Sequence, residues 1–113
     1  AYGLGKARWQ HGDLTGAVDA LRQSLALDPD YRDAHYALGL VYVRLERFDD
    51  ARISFTHSAT IDSTHAESHY GLALLHMQQG QKNLARQGLE KVLALQPEHQ
   101  RARSKLTVLG SQL

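Results

Sequence analysis

Three histidines make the most suggestive constellation for chemistry in this chain. His65, His69 and His76 stand at i, i+4 and i+11, roughly one face of a helix, where imidazoles can share a metal ion. No cysteine joins them, and the carboxylate that would complete a ligand set, Glu67, points elsewhere on the same helix. His69 and His76 also occupy positions that pack helix against helix. Structural or solvated histidine is therefore favoured, and no metal or cofactor is expected. Arg101, Arg103 and Lys105 form a second cluster, able to meet phosphate or to solvate the outer side of a helix, and solvation is favoured. Catalytic motifs are missing: there is no nucleophile elbow, no phosphate-binding glycine loop and no HExxH. An enzyme is not expected.

Charge narrows the partners. Thirteen Lys plus Arg face twelve Asp plus Glu, so no global field selects a nucleic acid or an anionic membrane. Seven histidines allow a modest pH response near neutrality. No apolar run approaches the roughly 18 residues that cross a bilayer, so membrane insertion is not expected. Tyr2 to Trp9 is too polar for the apolar core of a signal peptide. Ala1 opens inside what should already be a helix, without an initiator methionine, so the chain reads as a fragment or a processed form. A chain with no cysteine fits the cytosol and an envelope compartment alike. A soluble setting is expected, with the cytoplasm slightly favoured.

The elements that would position these groups follow from helical periodicity and its breakers. Helices are predicted over about Tyr2 to His11, Leu14 to Leu27, Tyr31 to Leu45, Phe48 to Ile61, His65 to Gln79, Asn83 to Leu95 and Glu98 to Leu109. Asp13 can cap the second of these, Asp30 with Asp33 the third, and Thr64 with Glu67 the fifth. Gly12-Asp13, Glu46-Arg47 and Gly80-Gln81 turn the chain within pairs, while Asp28-Pro29 and Gln96-Pro97 separate one pair from the next.

These seven helices are copies of one pattern. At a shift of 34 residues the columns Leu4/Leu38/Leu72, Gly5/Gly39/Ala73, Ala17/Ala51/Ala85 and Leu21/Phe55/Leu89 coincide. Tyr2/Tyr36/Tyr70 and Leu27/Ile61/Leu95 agree in kind, and Pro29 and Pro97 bracket Ser63. A fixed period of roughly 20–50 residues marks a repeat architecture, in which no unit buries its apolar face alone and stacking supplies the core.

The middle unit reads His35-x-x-Leu38-Gly39-x-x-Tyr42, then Ala51-x-x-x-Phe55, closing at Ser63. It resembles the tetratricopeptide repeat, and the flanking units match it through Leu4-Gly5, Ala17 and Pro29, and through Leu72-Ala73, Ala85 and Pro97. The resemblance implies an all-α fold, an α-solenoid of stacked antiparallel helix pairs with about seven helices. It would form a single domain over 1–113, with repeats at 1–31, 32–65 and 66–99 and a capping helix at 100–113. Histidine stands for the opening aromatic at His35 and His69, and Ser63 for the closing proline. Small residues at Gly39 and Ala73 would let paired helices approach, with Ala51 and Ala85 opposite; a larger side chain at Ala51 should cost roughly 1–3 kcal/mol.

The helix at Tyr31 to Leu45 has a second apolar face. Ala34, Leu38, Val41, Tyr42 and Leu45 gather on one side, whereas Tyr36, Leu40 and Val43 gather on the other. Tyr70, Leu74 and Met77 repeat that surplus face, and Tyr2, Lys6 and Trp9 begin it. In the family, the first helix of each repeat lines a concave surface. The resemblance therefore implies a groove of Tyr2, Lys6, Trp9, Tyr36, Leu40, Val43, Arg44, Tyr70, Leu74 and Met77. Such a strip suits an extended peptide or a helix of a partner protein, in an adaptor or scaffold role. The tyrosines have a competing use in packing repeat on repeat. One subclass of the family grips the acidic tails of chaperones with lysine and asparagine; Tyr2, Leu40 and Leu74 stand at those positions, so such a receptor is not expected. The alternative role is structural, with the same surfaces driving self-association into a homo-oligomer.

Overall fold

A computed structural model describes residues 13–112. Six α-helices make up the described residues: α1 (Leu14–Leu27), α2 (Arg32–Arg44), α3 (Phe48–Ile61), α4 (Ala66–Gln78), α5 (Lys82–Leu95) and α6 (Gln100–Gln112). Their first residues recur at the period of the sequence: Leu14, Phe48 and Lys82 open one set, and Arg32, Ala66 and Gln100 the other, each 34 residues after the last. The helix expected over Tyr2 to His11 lies outside the described residues. Among the described residues, no helix is long and apolar enough to cross a membrane.

The chain divides into two compact units, Ala1–Asp62 and Ser63–Leu113. In the first, α2 packs on α1 and α3. Ala17 and Leu21 of α1, Ala34 and Val41 of α2, and Ala51 and Phe55 of α3 are at most 1% exposed. Tyr42 is buried as well, and its hydroxyl accepts a 2.8 Å hydrogen bond from Arg22 Nη2 of α1. In the second unit, Ala66, Tyr70 and Ala73 of α4, Ala85, Leu89 and Val92 of α5, and Ala102 and Leu109 of α6 form one apolar cluster. Leu74, Met77 and Leu106 pack at its edge.

Helix ends show how local chemistry sets these boundaries. Asp13 caps α1, its Oδ1 accepting from Gly16 N–H at 2.9 Å, as expected. The two other expected caps do not form. The residue before α2 is Tyr31 and that before α4 is His65, and neither makes a side-chain capping bond. Asp33 turns instead to Arg32, and Glu67 to His99 and Arg101. A charged partner outcompetes an exposed backbone amide for a carboxylate.

The turns inside each pair repeat in detail. After α2, Glu46 N–H bonds Val43 O and Arg47 N–H bonds Tyr42 O; after α4, Gly80 bonds Met77 and Gln81 bonds His76 in the same way. This double closure needs a left-handed residue between helices. Gly80 supplies it at φ +76°, whereas Glu46 is forced there at φ 59°. The last helix begins at Gln100 rather than Glu98 and passes through Gly110 to Gln112. The close approach of α2 and α3 also differs from expectation. The atoms nearest a Cβ on Gly39 belong to the ring of Phe55, not to Ala51. In the second unit the tight contact is between Ala73 and Gly88, 3.1 Å from Cβ to a Cβ built on the glycine.

Candidate functional site

The surplus apolar face of α2 exists as a stripe. Tyr36, Leu40 and Val43 are each half-buried, with Arg44 exposed beyond them. Their i, i+4 and i+7 spacing brings them onto one side of the helix. The Tyr36 ring leans on Phe55, centroids 5.8 Å apart and planes at 47°, so the core of the α2–α3 pair orients it. Phe55 is 1% exposed, a rigid backing for a ring that itself retains exposure.

The equivalent residues of α4 are treated differently. Leu74 and Met77 are half-buried against the core of their unit. Tyr70, in contrast, is only 7% exposed. The His99 ring lies 4.9 Å from its centroid and the Arg101 guanidinium 5.0 Å above it. Burial pushes the Tyr70 hydroxyl above its ordinary pKa; Arg101 opposes that rise and Glu67 adds to it. Tyr2, Lys6 and Trp9, the rest of the expected strip, lie outside the described residues.

Around Tyr70 stands a polar network that motif reading missed. Glu67 Oε1 is 2.7 Å from His99 Nε2, and Glu67 Oε2 accepts from Arg101 Nη2 at 2.8 Å. It joins α4 to α6. Glu67 and Arg101 stand 34 residues apart, in one column whose sign flips from acid to base; that flip was the available signal. In the first unit Arg32 bridges Asp33 and Asp62, both at 2.7 Å, and these bonds raise its already high pKa. Tyr31, Arg32, Asp33 and Asp62 line a shallow depression there, but its cation is already paired to both of its acids.

The histidines singled out at the start are engaged one by one. His65 Nδ1 lies 2.6 Å from Ser68 Oγ, His69 Nε2 donates to Ser63 O at 3.0 Å, and His76 Nδ1 lies 2.8 Å from Gln81 Oε1. Among the described residues no three His, Cys, Asp or Glu side chains converge as a metal site. His69 belongs instead to a recurring bond. His35 Nε2 donates to Pro29 O at 2.8 Å, and Arg103 Nη2 donates to Pro97 O at 2.6 Å. The column His35/His69/Arg103 thus holds, three times, the carbonyl six residues before it. Arg103 is tied down by this bond, while Lys105 lies along α6 half-buried.

Paired helices with 34-residue register, left-handed turns and a stapled linker are what the family models match. A tetratricopeptide repeat model covers residues 2–66 and a second covers residues 66–99. The chain belongs to the tetratricopeptide repeat family. Its fold is the α-solenoid of antiparallel helix pairs. No curated protein matches the sequence. Among solved structures, the chain is similar to MamA, with TM-score 0.87 and 27% identity over 96% of this chain and 63% of that one. It therefore spans less than two thirds of MamA. The Yersinia enterocolitica type III secretion chaperone SycD, solved with a peptide of the translocator YopD, aligns with TM-score 0.92 and 20% identity, over 98% of this chain and 90% of SycD. The second repeat domain of human RPAP3, solved with an HSP70 peptide, aligns with TM-score 0.88 and 18% identity, over 96% of this chain and 90% of that one. At those identities the last two likenesses concern the fold.

Proposed function

We propose that this tetratricopeptide repeat chain is a protein-interaction module, holding a peptide or a helix of another protein against the first helices of its repeats. The observation that carries the reading is the Tyr36, Leu40 and Val43 stripe. It keeps apolar surface in reach of solvent on α2 while the opposite side of the same helix is sealed in the core. Half-exposed aromatic and aliphatic side chains on a rigid helix, edged by a cation such as Arg44, suit a partner with alternating apolar residues and an acidic flank. Leu74 and Met77 on α4 would take the next apolar residues, with Tyr70 as their support, and Tyr2, Lys6 and Trp9 would extend the strip toward the N-terminus. The peptide-bound states of SycD and human RPAP3 support the reading by likeness of fold. Leu40 and Leu74 argue for an apolar ligand over an acidic chaperone tail.

The test is a crosslinking pull-down from the source cell, with wild type beside a Tyr36→Ala, Leu40→Ala variant of equal helicity. A protein captured by wild type and lost by the variant supports the groove. Equal capture by both overturns it. Recovery of the chain itself, with a mass by light scattering that grows with concentration, replaces the adaptor with a self-assembling array.

A further inference from the structure

His99 sits immediately before α6, where its carbonyl accepts the helix's first backbone bond, from Arg103 N–H at 3.1 Å. Its side chain is 5% exposed, and both ring nitrogens are in use. Nδ1 accepts from Ala102 N–H at 3.0 Å, and Nε2 is 2.7 Å from Glu67 Oε1. A backbone amide can only donate, so Nδ1 carries no hydrogen. An ionised carboxylate can only accept, so Nε2 carries one. The two bonds together need the neutral Nε2–H form of the ring.

The groups around the ring make its two bonds respond oppositely to a proton. From α4 come the Glu67 carboxylate and the Tyr70 ring; from α6 comes Arg101, bonded to Glu67 Oε2 and stacked over Tyr70. On the linker, Glu98 is exposed, and Arg103 of α6 is bonded to Pro97 O. A proton arriving at Nδ1 turns that atom into a donor facing another donor, Ala102 N–H, and leaves a buried amide without its partner. The same proton makes the bond from Nε2 to Glu67 charge-assisted. The imidazolium stays with α4 and lets go of α6.

We propose that His99 is a proton-operated cap. In acid the ring, protonated on Nδ1 from solvent, releases the first turn of α6 and uncovers Tyr70. The device works whatever ligand the chain binds, since it rests on the second unit alone.

Amide hydrogen exchange at Ala102 and Arg103 tests it, measured at about pH 7.5 and about pH 5 and corrected for intrinsic rates, across the range where imidazoles ordinarily titrate. The control is His99→Asn, whose side-chain oxygen caps a helix at either pH. Wild type should lose about fivefold in protection at Ala102 on acidification, the size of one lost cap, and the variant should not. Equal protection at both pH values in wild type, or the same loss in the variant, overturns the proposal. Should the variant fold poorly, the imidazole 15N shifts of wild type decide. A bare Nδ1 near neutrality, with its protonation tracking the loss at Ala102, supports the cap; protonation without that loss defeats it.

Discussion

A Cβ placed on Gly39 would stand 2.5 Å from Cε1 of Phe55, so the glycine of α2 and the phenylalanine of α3 are one packing decision. The matching columns of the second unit hold Ala73 and Leu89, both 0% exposed. One unit pairs the smallest residue with the larger partner; the other adds a methyl and shrinks the partner. Volume is conserved across the pair while each position varies, which is how cores tolerate change.

Gly39→Ala should therefore cost roughly 1–3 kcal/mol, because the buried Phe55 ring has no room to slide. Adding Phe55→Leu should make the double variant more stable than the sum of the two single losses. Urea unfolding of the four proteins measures this coupling. Simple additivity would mean that the ring and the glycine do not share a constraint.

Glu46 and Gly80 occupy equivalent turns at positive φ, but only one is a glycine. Glu46→Gly should stabilise the first unit by about 1 kcal/mol by removing the left-handed penalty. Gly80→Ala should destabilise the second by a similar amount, although an added Cβ would touch nothing within 4 Å. The effect is one of backbone alone, and thermal unfolding of both variants reads it directly.

The staple column offers a third prediction. Carbonyls only accept, so His35 and His69 each carry hydrogen on Nε2, and 15N-edited imidazole spectra should show this. His69→Ala should cost about 0.5–1.5 kcal/mol, the ordinary net value of one hydrogen bond. The loss should appear as faster amide exchange at the start of α4, with the end of the helix unchanged.

Alkali should probe Tyr70. Its folded pKa is raised, chiefly by burial, above a model value of 10.0. The folded form then holds the phenolic proton more tightly than the unfolded chain. The associated stability is fully present below pH 10 and falls as pH climbs through the raised folded value. Tyr70→Phe should flatten that alkaline decline in denaturation midpoint. An unchanged slope would mean that Tyr70 ionises as freely folded as unfolded.

Much of this architecture was legible as columns. The positions that start α1, α3 and α5 fall 34 residues apart because the same small and large residues recur there, and periodic apolar packing is a strong signal. The polar ends were less legible. Asp30 with Asp33 and Thr64 with Glu67 have the spacing of caps, yet Asp33 and Glu67 spend their oxygens on arginine and histidine. Capping motifs are local, whereas the charges competing for Glu67 arrive 32 and 34 residues later. The tyrosine ladder misled in a similar way. Tyr36 and Tyr70 look identical in sequence, but only Tyr70 receives an arginine and a histidine from the next helix. The difference lies in what stacks on the column, not in the column.

The bond from His35, His69 and Arg103 to the carbonyl six residues earlier bears on where such chains can be cut and joined. Each linker's shape is held by a side chain one turn into the helix that follows. A seam placed at a helix start would separate the two halves of that bond and leave a donor from one parent facing a carbonyl from another. The transferable module therefore begins ahead of Pro29, Ser63 or Pro97, with the linker travelling in front of the helix that holds it.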